Sequence, residues 1–280
     1  MTERQVDRKC IQNQSGILFF TCATGYYENF VIPYIYFAEK SNPNSKFEFI
    51  VSDADRFFEK NDKSLMWLEK NMSVKPVVRS RDTVEIKPRI DNSIRFITSP
   101  KQFSNYVYIG DIDIMIFENI LNWHKPIFDA GLPYSNVVRN GTKRLTGLHL
   151  TKYDDYYPLP DIEDIVKDTV NDEEILYKIV ERKGRLYDTA RYNAVVKGRP
   201  IHGIHMSLNR LPFSASSERV GWGVSYENSV ECQKILNTDE FKDFYSTLYN
   251  GAAQIVVNLI FLTRGICFYG KEFFVNTVSY

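Results

Sequence analysis

Near its centre the chain reads Tyr106-Val-Tyr-Ile-Gly-Asp-Ile-Asp-Ile-Met-Ile-Phe117. An apolar run of strand length leads into Asp111 and Asp113, which are the only charged residues of this segment. Burying ionised carboxylates among apolar side chains is costly unless they have a partner of opposite charge. A divalent cation is a suitable partner, because Mg²⁺ and Mn²⁺ prefer oxygen ligands and often bind one or two protein carboxylates together with substrate phosphates. The motif therefore predicts a metal site at the end of a strand.

The structural alternative is that the two aspartates cap the strand through Asx-turns. Hydrophobic residues on both sides of Asp111 and Asp113 favour the functional interpretation. The position favours it as well, because open α/β sheets bind their ligands beyond the carboxyl ends of the strands.

Outward from this motif, short apolar runs alternate with segments of helical spacing, which is typical of an α/β sheet. Strands are predicted at residues 16–22, 46–52, 74–78, 106–109, 134–138 and 146–150. Helices are predicted at residues 27–40, 62–71 and 91–99 and from 171 onward, and a terminal helix or helix pair is predicted at 239–263. No linker interrupts this pattern, so we expect one α/β domain over residues 1–280.

Composition narrows the possible functions and locations. Lys+Arg 35 against Asp+Glu 35 gives zero net charge, which argues against nucleic-acid binding as the main function. The N-terminal residues lack the apolar segment of a signal peptide, and the longest apolar run, 255–262, is too short to span a bilayer. The four cysteines have neither zinc-site nor disulfide spacing. We expect a cytoplasmic protein without a transmembrane segment, whose aromatic residues 241–274 pack as core; peripheral contact with a membrane is the alternative.

Two of the four histidines, His202 and His205, lie three residues apart in a segment that also contains Arg210. Either histidine is a candidate for completing the metal site, and Arg210 is suited to bind a phosphate. Loop histidines hydrogen-bonded to the backbone are the structural alternative.

An acidic helix start at Asn171-Asp-Glu-Glu174 supplies further carboxylates. Asn171 is the predicted N-cap, and Glu174 is its reciprocal partner in a capping box. Capping leaves Asp172 and Glu173 unexplained. Because a helix N-terminus stabilises anions, these two are candidates for a base or for a group that stabilises a developing cation.

Polar side chains also precede the metal strand and follow the first strand. Asn92 and Arg95 are spaced i,i+3 and share a face of a short helix, where arginine suits a diphosphate or sugar hydroxyls. A turn of small residues containing Thr24 and Tyr26 follows the first strand, and a tyrosine ring there is suited to stack on a nucleobase. A solvated helix face and a simple connecting loop are the alternatives. The turn lacks the Gly-x-Gly-x-x-Gly pattern of dinucleotide-binding proteins.

In this order the features resemble a GT-A glycosyltransferase and are most similar to the family 8-like galactosyl- and glucosyltransferases. Four motifs carry the resemblance over residues 16–210: Gly110-Asp-Ile-Asp113 for the DxD, Arg95 for the preceding arginine, Asp172-Glu-Glu-Ile-Leu-Tyr177 for the acidic helix start, and His202-Gly-Ile-His205 through Arg210 for the C-terminal loop. Residues 146–150 fall where the family has an Asn-Ala-Gly strand. Glu173 replaces the family's Gln, and its Lys-Pro-Trp is missing, which leaves the stereochemistry open.

The resemblance implies a Rossmann-like GT-A domain with a mixed central sheet flanked by helices, in which residues 16–118 bind a nucleotide sugar and residues 119–280 bind the acceptor. It implies transfer from a UDP- or GDP-sugar to a glycan or other hydroxyl acceptor, as in polysaccharide biosynthesis, with Mn²⁺ or Mg²⁺ as cofactor. The implied metal ligands are Asp111, Asp113, His205 and His202. The implied donor-binding residues are Thr24, Tyr26, Asn92, Arg95, Asp111, Ile112, Asp113 and Arg210. Asp172 and Glu173 are the implied catalytic residues, and His149 is a further candidate on the acceptor side.

Two alternatives from other classes remain. A phosphohydrolase also uses Asp-x-Asp after a strand, with the first aspartate as nucleophile. Its motif normally lies near the N-terminus and continues into Thr or Val, whereas here it continues into Ile-Met-Ile-Phe past residue 110. The other alternative is a non-catalytic protein of the same fold that binds carbohydrate or nucleotide sugar.

Overall fold

A computed structural model describes residues 16–136, 142–187, 203–206 and 226–277, with side chains described up to residue 268. Six strands form the main sheet in the order β3-β2-β1-β4-β7-β6, and β5 and β8 form a separate two-stranded ribbon. The strands are β1 (Ile17–Ala23), β2 (Lys46–Val51), β3 (Val77–Ser80), β4 (Tyr106–Ile109), β5 (Ile114–Met115), β6 (Tyr134–Ser135), β7 (His149–Lys152) and β8 (Ile204–His205).

Helices cover both faces of the main sheet. The α-helices are α1 (Val31–Ser41), α2 (Ala54–Met72), α3 (Ile94–Ile97), α4 (Ile120–Asp129), α5 (Tyr153–Tyr156), α6 (Glu163–Asp168), α7 (Asp172–Arg182), α8 (Tyr226–Leu236), α9 (Asp239–Ser246) and α10 (Asn250–Thr277). Short 3-10 helices span Gly25–Phe30, Arg81–Thr83 and Asp91–Ser93. Strands β1 to β4 are parallel, whereas β7 pairs antiparallel with both β4 and β6. The predicted α/β class, with a mixed central sheet flanked by helices, is confirmed.

The core lies on both faces of β1. Side chains alternate between the faces of a strand, so Phe19 packs with α1 and α2 while Leu18 and Phe20 pack with α3, α6 and α7. All seven residues of β1 are buried, which is why its sequence is a continuous apolar run rather than an alternating one.

The first predicted helix, 27–40, is divided in the structure. A 3-10 helix covers Gly25–Phe30, and α1 begins at Val31. Pro33 then falls in the first turn of α1, where a backbone N–H has no partner within the helix and its loss costs little. The proline therefore marks the start of the α-helix.

Other predicted boundaries were also wrong in places. The helix predicted at 62–71 is the longer α2, which begins after Asp53, whose side chain accepts a hydrogen bond from the backbone of Arg56. The strand predicted at 74–78 starts at Val77 and lies at the sheet edge, as Pro76 indicated.

Three more predictions concern the second half of the chain. The strand predicted at 146–150 runs from His149 to Lys152. Of the strand predicted at 134–138, the structure has Tyr134–Ser135, and residues 137–138 lie outside the described residues. The helix predicted at 239–263 is the pair α9 and α10.

Helix α10 is long and apolar enough, by length and composition, to cross a membrane over Asn250–Phe268, the only such segment among the described residues. The run judged too short from the sequence is therefore part of a longer apolar helix. Ile255, Val256 and Leu259 on this helix are buried in the main core. A core helix of a soluble protein passes the same test, so the segment is weak evidence for a membrane span.

The strand order reverses between β1 and β4. From β1 the chain moves outward to β2 and β3 and then returns to the opposite side of β1 as β4. In open α/β sheets the crevice at the carboxyl ends of the strands beside such a reversal is the usual ligand site. Thr24 follows β1 and Asp111 lies just beyond β4, so both belong to this edge.

Candidate active site

A cavity of ≈ 260 Å³ lies at the carboxyl ends of β1 and β4. Nine side chains predicted from the sequence line it: Thr24, Asn92, Arg95, Asp111, Ile112, Asp113, Asp172, Glu173 and His205. The cavity thus unites the segment after β1, the helix before β4, the Asp-Ile-Asp motif, the start of α7 and the β8 ribbon. These segments are far apart in the chain and meet at the carboxyl ends of β1 and β4, where the strand order reverses.

Asp111, Asp113 and His205 are arranged so that one ligand atom from each lies within 4.8 Å of the others. Two carboxylates and an imidazole are oxygen and nitrogen donors of the kind that Mn²⁺ accepts, and the carboxylates also suit Mg²⁺. The donor set therefore fits the predicted cation. His202, the other candidate ligand, and Arg210 lie outside the described residues.

The β5–β8 ribbon brings His205 to the two aspartates. Ile114, directly after Asp113, pairs with His205 in an antiparallel ladder, and the N–H of Met206 donates to the carbonyl of Asp113 at 2.7 Å. Nδ1 of His205 consequently lies 3.8 Å from Oδ2 of Asp113. Strand pairing fixes this contact across about ninety residues of sequence, a separation at which a sequence gives no direct signal.

Gly203 allows the ribbon to form. Its φ of +67° is in the left-handed region, and a Cβ at this position would lie 1.9 Å from the carbonyl oxygen of Met115. Only glycine fits that approach without moving the backbone. Gly203 therefore allows the backbone conformation that positions His205.

Arg95 lies behind the candidate metal group and is 3% exposed. Its Nη1 is 2.5 Å from Oδ1 of Asp111, and its Nη2 is 3.0 Å from Oδ2 of Asp172. Burial by itself lowers the pKa of the guanidinium, but the carboxylates of Asp111 and Asp172 outweigh it and the net pKa is raised. The permanent cation thus bridges the strand-end motif and the start of α7.

The start of α7 presents Asp172 and Glu173 to the cavity. Asn171 is the N-cap, as predicted, and its side chain accepts a hydrogen bond from the N–H of Glu174 at 3.1 Å. The carboxylate of Glu174 pairs with Lys178 at 2.9 Å, so the reciprocal contact of a capping box is replaced by an i,i+4 ion pair. Asp172 and Glu173 line the cavity from this capped end.

Thr24 is fixed at the opposite side by charged neighbours. Its hydroxyl donates to Asp91 at 2.9 Å, and Asp91 also pairs with Arg81 at 2.6 Å. Asn92, next to Asp91 in the same 3-10 helix, lines the cavity. The network of Asp91 and Arg81 thus holds Thr24, and Asn92 is the next residue along the chain from Asp91.

Three residues that the site prediction did not include also line the cavity: Cys22, Tyr27 and Gly147. Burial, followed by the charge of Asp91, raises the pKa of Cys22 to about 12, so its thiol is protonated at neutral pH and is a poor nucleophile. Burial and the nearby Asp113 raise the pKa of Tyr27. Tyr26, the tyrosine chosen from the sequence, does not line this cavity; the residue is 62% exposed, and its ring packs edge-to-face on Tyr27.

Gly147 approaches the charged centre with its backbone. A Cβ there would lie 3.1 Å from Nη2 of Arg95 and 3.4 Å from Oδ2 of Asp111. Asn136 fixes this segment, because its side chain accepts from the N–H of Thr146 at 2.9 Å and donates to the carbonyl of Thr146 at 2.8 Å. In the sequence, the only indication of this close backbone approach was a glycine inside an apolar segment.

His149 is fully buried and does not line the cavity. Its Nδ1 faces the amide of Asn136 at 3.3 Å, and its ring packs against Tyr134. Burial lowers the pKa of His149 to about 3. In this structure the imidazole has no surface to offer an acceptor, so its position differs from the one expected on the acceptor side.

No protein-family model matches the chain, and no curated protein matches it. Solved structures that are similar to it include the glycosyltransferase GlyE of Streptococcus pneumoniae TIGR4, with 11% identity, a TM-score of 0.39 and coverage of 66% of this chain and 44% of that chain. They also include the galactosyltransferase LgtC in complex with donor and acceptor sugar analogs, with 13% identity, a TM-score of 0.45 and coverage of 82% and 99%. S. aureus TarS 1-349 has 11% identity, a TM-score of 0.39 and coverage of 90% and 73%.

The chain spans less than half the length of GlyE. At such low identity and with TM-scores below 0.5, these likenesses do not assign an activity. The function proposed below therefore depends on the residues of the cavity.

Proposed function

We propose that the protein is a metal-dependent glycosyltransferase that moves a sugar from a nucleotide-diphosphate sugar to a glycan or other hydroxyl acceptor. The observation that carries the proposal is the convergence of Asp111, Asp113 and His205 at the reversal of strand order, with one ligand atom from each within 4.8 Å. A diphosphate brings several negative charges, and a cation held by carboxylates and an imidazole is a suitable counter-charge. Bound Mn²⁺ or Mg²⁺ would supply Lewis-acid neutralisation of the leaving diphosphate.

In this proposal Arg95 keeps Asp111 oriented and adds fixed positive potential behind the diphosphate. A buried, pre-oriented cation stabilises developing negative charge more than one exposed to water. Thr24, Asn92 and Ile112, which line the cavity, and Arg210 are the other proposed donor-binding residues. We propose that residues 16–118 bind the donor, that residues 119–280 bind the acceptor, and that the reaction takes place in the cytoplasm, where the free thiols of Cys22 and Cys232 remain reduced.

Asp172 and Glu173 are the proposed catalytic residues. Both line the cavity, so either carboxylate would border the space that the reacting sugar occupies. Glycosyl transfer passes through an oxocarbenium-like state, which a nearby carboxylate stabilises. The proposed role is electrostatic stabilisation of that cation or removal of the acceptor proton. Asp172 is in addition held by its ion pair with Arg95 at 3.0 Å, which suits it to the electrostatic role.

The phosphohydrolase alternative needs Asp111 as a nucleophile. Its Oδ1 lies 2.5 Å from a buried guanidinium, and that ion pair lowers the reactivity of the carboxylate. This contact disfavours the alternative. Phosphate release from phosphomonoesters without a nucleotide sugar would restore it.

The test is to titrate the purified chain with Mn²⁺, then to screen UDP- and GDP-sugars for metal-dependent nucleotide release. We expect Mn²⁺ to raise the melting temperature of the wild type, because a ligand that binds the folded state stabilises it. Asp113→Ala should remove this shift and the turnover. Asp129→Ala is the matched control, since Asp129 lies on the exposed side of α4 and pairs with Lys125. Full metal-dependent turnover by Asp113→Ala would overturn the metal assignment, and binding without turnover over a panel of acceptors would favour a non-catalytic protein.

A further inference from the structure

Glu118 contacts Gly203, the residue directly before strand β8. The backbone N–H of Gly203 donates to both carboxylate oxygens of Glu118, at 2.8 Å to Oε2 and 3.1 Å to Oε1. Asn228 of α8 closes the arrangement, because its amide donates both to Glu118 Oε1 and to the carbonyl oxygen of Gly203, the latter at 3.2 Å. The peptide groups that precede β8 are thus bound by one carboxylate and one amide.

Strand β8 needs such an anchor because its own pairing is short. Within the described residues 203–206 it consists of Ile204 and His205, which pair with the two residues of β5. Two-stranded ribbons are marginally stable by themselves. A hydrogen bond to an ionised carboxylate is about twice as strong as a neutral one, so Glu118 adds more to this ribbon than another backbone contact would.

The segment that carries Glu118 is itself fixed to the end of α1. The side chain of Asn42 donates to the carbonyl of Glu118 at 3.0 Å and accepts from the N–H of Ile120 at 2.8 Å. Asn42 is buried, with 3% of its surface exposed. The anchor therefore connects the β8 ribbon to the rigid helix layer of the fold.

We propose that Glu118 is a positioning residue for the metal site, which acts on metal binding by holding β8 so that His205 faces Asp113. The inference rests on the proposed metal-dependent function, because it takes the group of Asp111, Asp113 and His205 as the cation site. Glu118 is not among the residues that line the cavity, so it acts through His205.

The first test compares Glu118→Gln with the wild type by two measurements on the full chain. Isothermal titration with Mn²⁺ alone is expected to show about tenfold weaker binding, the range found when residues that orient metal ligands are removed. Amide hydrogen–deuterium exchange of the metal-free protein is expected to become faster at residues 203–206. Wild-type Mn²⁺ affinity in Glu118→Gln would overturn the proposal, whatever the exchange result.

Glu39→Gln is the matched control for a purely structural carboxylate. Glu39 is buried and, like Glu118, accepts hydrogen bonds from the backbone, here from the N–H groups of Asn44 and Ser45. It does not contact the β8 ribbon in these hydrogen bonds. Glu39→Gln should lower stability without changing Mn²⁺ affinity or exchange at residues 203–206, and an equal effect on both would show that the Glu118 result is only a loss of stability.

A double-mutant cycle tests whether the effect passes through His205. In a His205→Ala background, Glu118→Gln should leave Mn²⁺ affinity unchanged within about twofold, because the ligand that Glu118 positions is gone. A further tenfold loss in that background would overturn the inference. Should Glu118→Gln fail to fold, Asn228→Ala, which removes the other half of the anchor, is expected to shift both measurements in the same direction.

The proposed function and this inference fail in different ways. Absence of Mn²⁺ binding by the wild type contradicts the proposed function, while exchange at residues 203–206 in the metal-free protein still decides whether Glu118 holds the ribbon. Normal Mn²⁺ binding by Glu118→Gln contradicts only the inference.

Discussion

Nη1 of Arg95 lies 2.5 Å from Oδ1 of Asp111, and the same guanidinium reaches Asp172 through Nη2. One buried cation therefore joins two carboxylates from separate segments at the cavity. Removing it leaves both carboxylates beside each other without their counter-charge, a situation that costs more than the loss of a surface ion pair.

Arg95→Met is expected to lower the free energy of unfolding by about 3 kcal/mol, because breaking a buried ion pair leaves uncompensated charge. Arg95→Lys should also destabilise the protein, since one ammonium group cannot reproduce the two-sided contact of a guanidinium. Urea denaturation followed by circular dichroism measures both. Mn²⁺ should recover part of the loss in Arg95→Met, because a cation would then face the two carboxylates.

Arg182→Met is the matched control for this experiment. Arg182 also pairs with a carboxylate through two nitrogens, to the two oxygens of Asp164, but both side chains are exposed. Exposed ion pairs contribute little to stability. An equal loss of stability in Arg95→Met and Arg182→Met would contradict the structural role assigned to the buried cation.

Gly147→Ala tests the close approach of the backbone to that cation. The added Cβ would lie 3.1 Å from Nη2 of Arg95, and Arg95 has little freedom to move because two carboxylates hold it. We expect overpacking to lower the free energy of unfolding by about 1 kcal/mol. We also expect about fivefold weaker Mn²⁺ binding, because the added methyl group would displace Asp111. Calorimetric titration and thermal unfolding measure the two effects.

Gly265→Ala provides the comparison. A Cβ at Gly265 meets nothing within 4 Å, and the residue lies inside helix α10. Alanine in a helix interior is favoured over glycine by about 1 kcal/mol, so this variant should be more stable and should bind Mn²⁺ as the wild type does. Unchanged Mn²⁺ binding in Gly147→Ala would show that the glycine is not needed for the geometry of Asp111.

The parts of the site that the sequence predicted are those with local signals. The apolar run before Asp111, the helix start at Asn171 and the spacing of Asn92 and Arg95 each depend on a few neighbouring residues. The side chains that these signals predicted meet at one cavity: Asn92, Arg95, Asp111, Asp172 and Glu173. The edge on which they meet was predictable too, because parallel strands place their carboxyl ends together.

The remainder depends on contacts between distant segments. The pairing of β5 with β8 places His205 beside Asp113, and neither strand has enough residues to show a periodic pattern. The choice between Tyr26 and Tyr27 depends on the 3-10 conformation of Gly25–Phe30, in which neighbouring side chains point in different directions. The burial of His149, a candidate on the acceptor side, was not predictable because a polar residue in a short strand looks the same in sequence whether it is buried or exposed.

The burial of His149 predicts a pH dependence of stability. Burial lowers its pKa from 6.5 to about 3, so below pH 6.5 the unfolded chain takes up a proton that the folded protein does not. Stability is therefore lost as the pH falls, by at most about 1.4 kcal/mol per pH unit from this one group. Urea unfolding at pH 7, 6 and 5 measures the slope.

His149→Gln separates this contribution from that of the carboxylates. The glutamine carbonyl can accept from Asn136, as Nδ1 does in the wild type, but it does not titrate. The difference in stability between the wild type and His149→Gln should move in favour of the variant as the pH falls from 6.5 to 5. Parallel pH profiles would indicate that His149 protonates in the folded state at its ordinary pKa.

Gly203→Ala is the most direct disruption of the His205 ribbon. Its φ of +67° disfavours any side chain, and the new Cβ would lie 1.9 Å from the carbonyl oxygen of Met115, so the backbone of one strand must move. Gly184 has a similar φ of +64° but nothing within 4 Å of a Cβ. Gly184→Ala should therefore cost only the left-handed conformation, about 1 kcal/mol, whereas Gly203→Ala should cost about 3 kcal/mol and weaken Mn²⁺ binding at least tenfold. Thermal unfolding and Mn²⁺ titration of the two variants separate backbone strain from loss of the ligand. Equal Mn²⁺ affinities in the two variants would mean that the cation does not depend on His205.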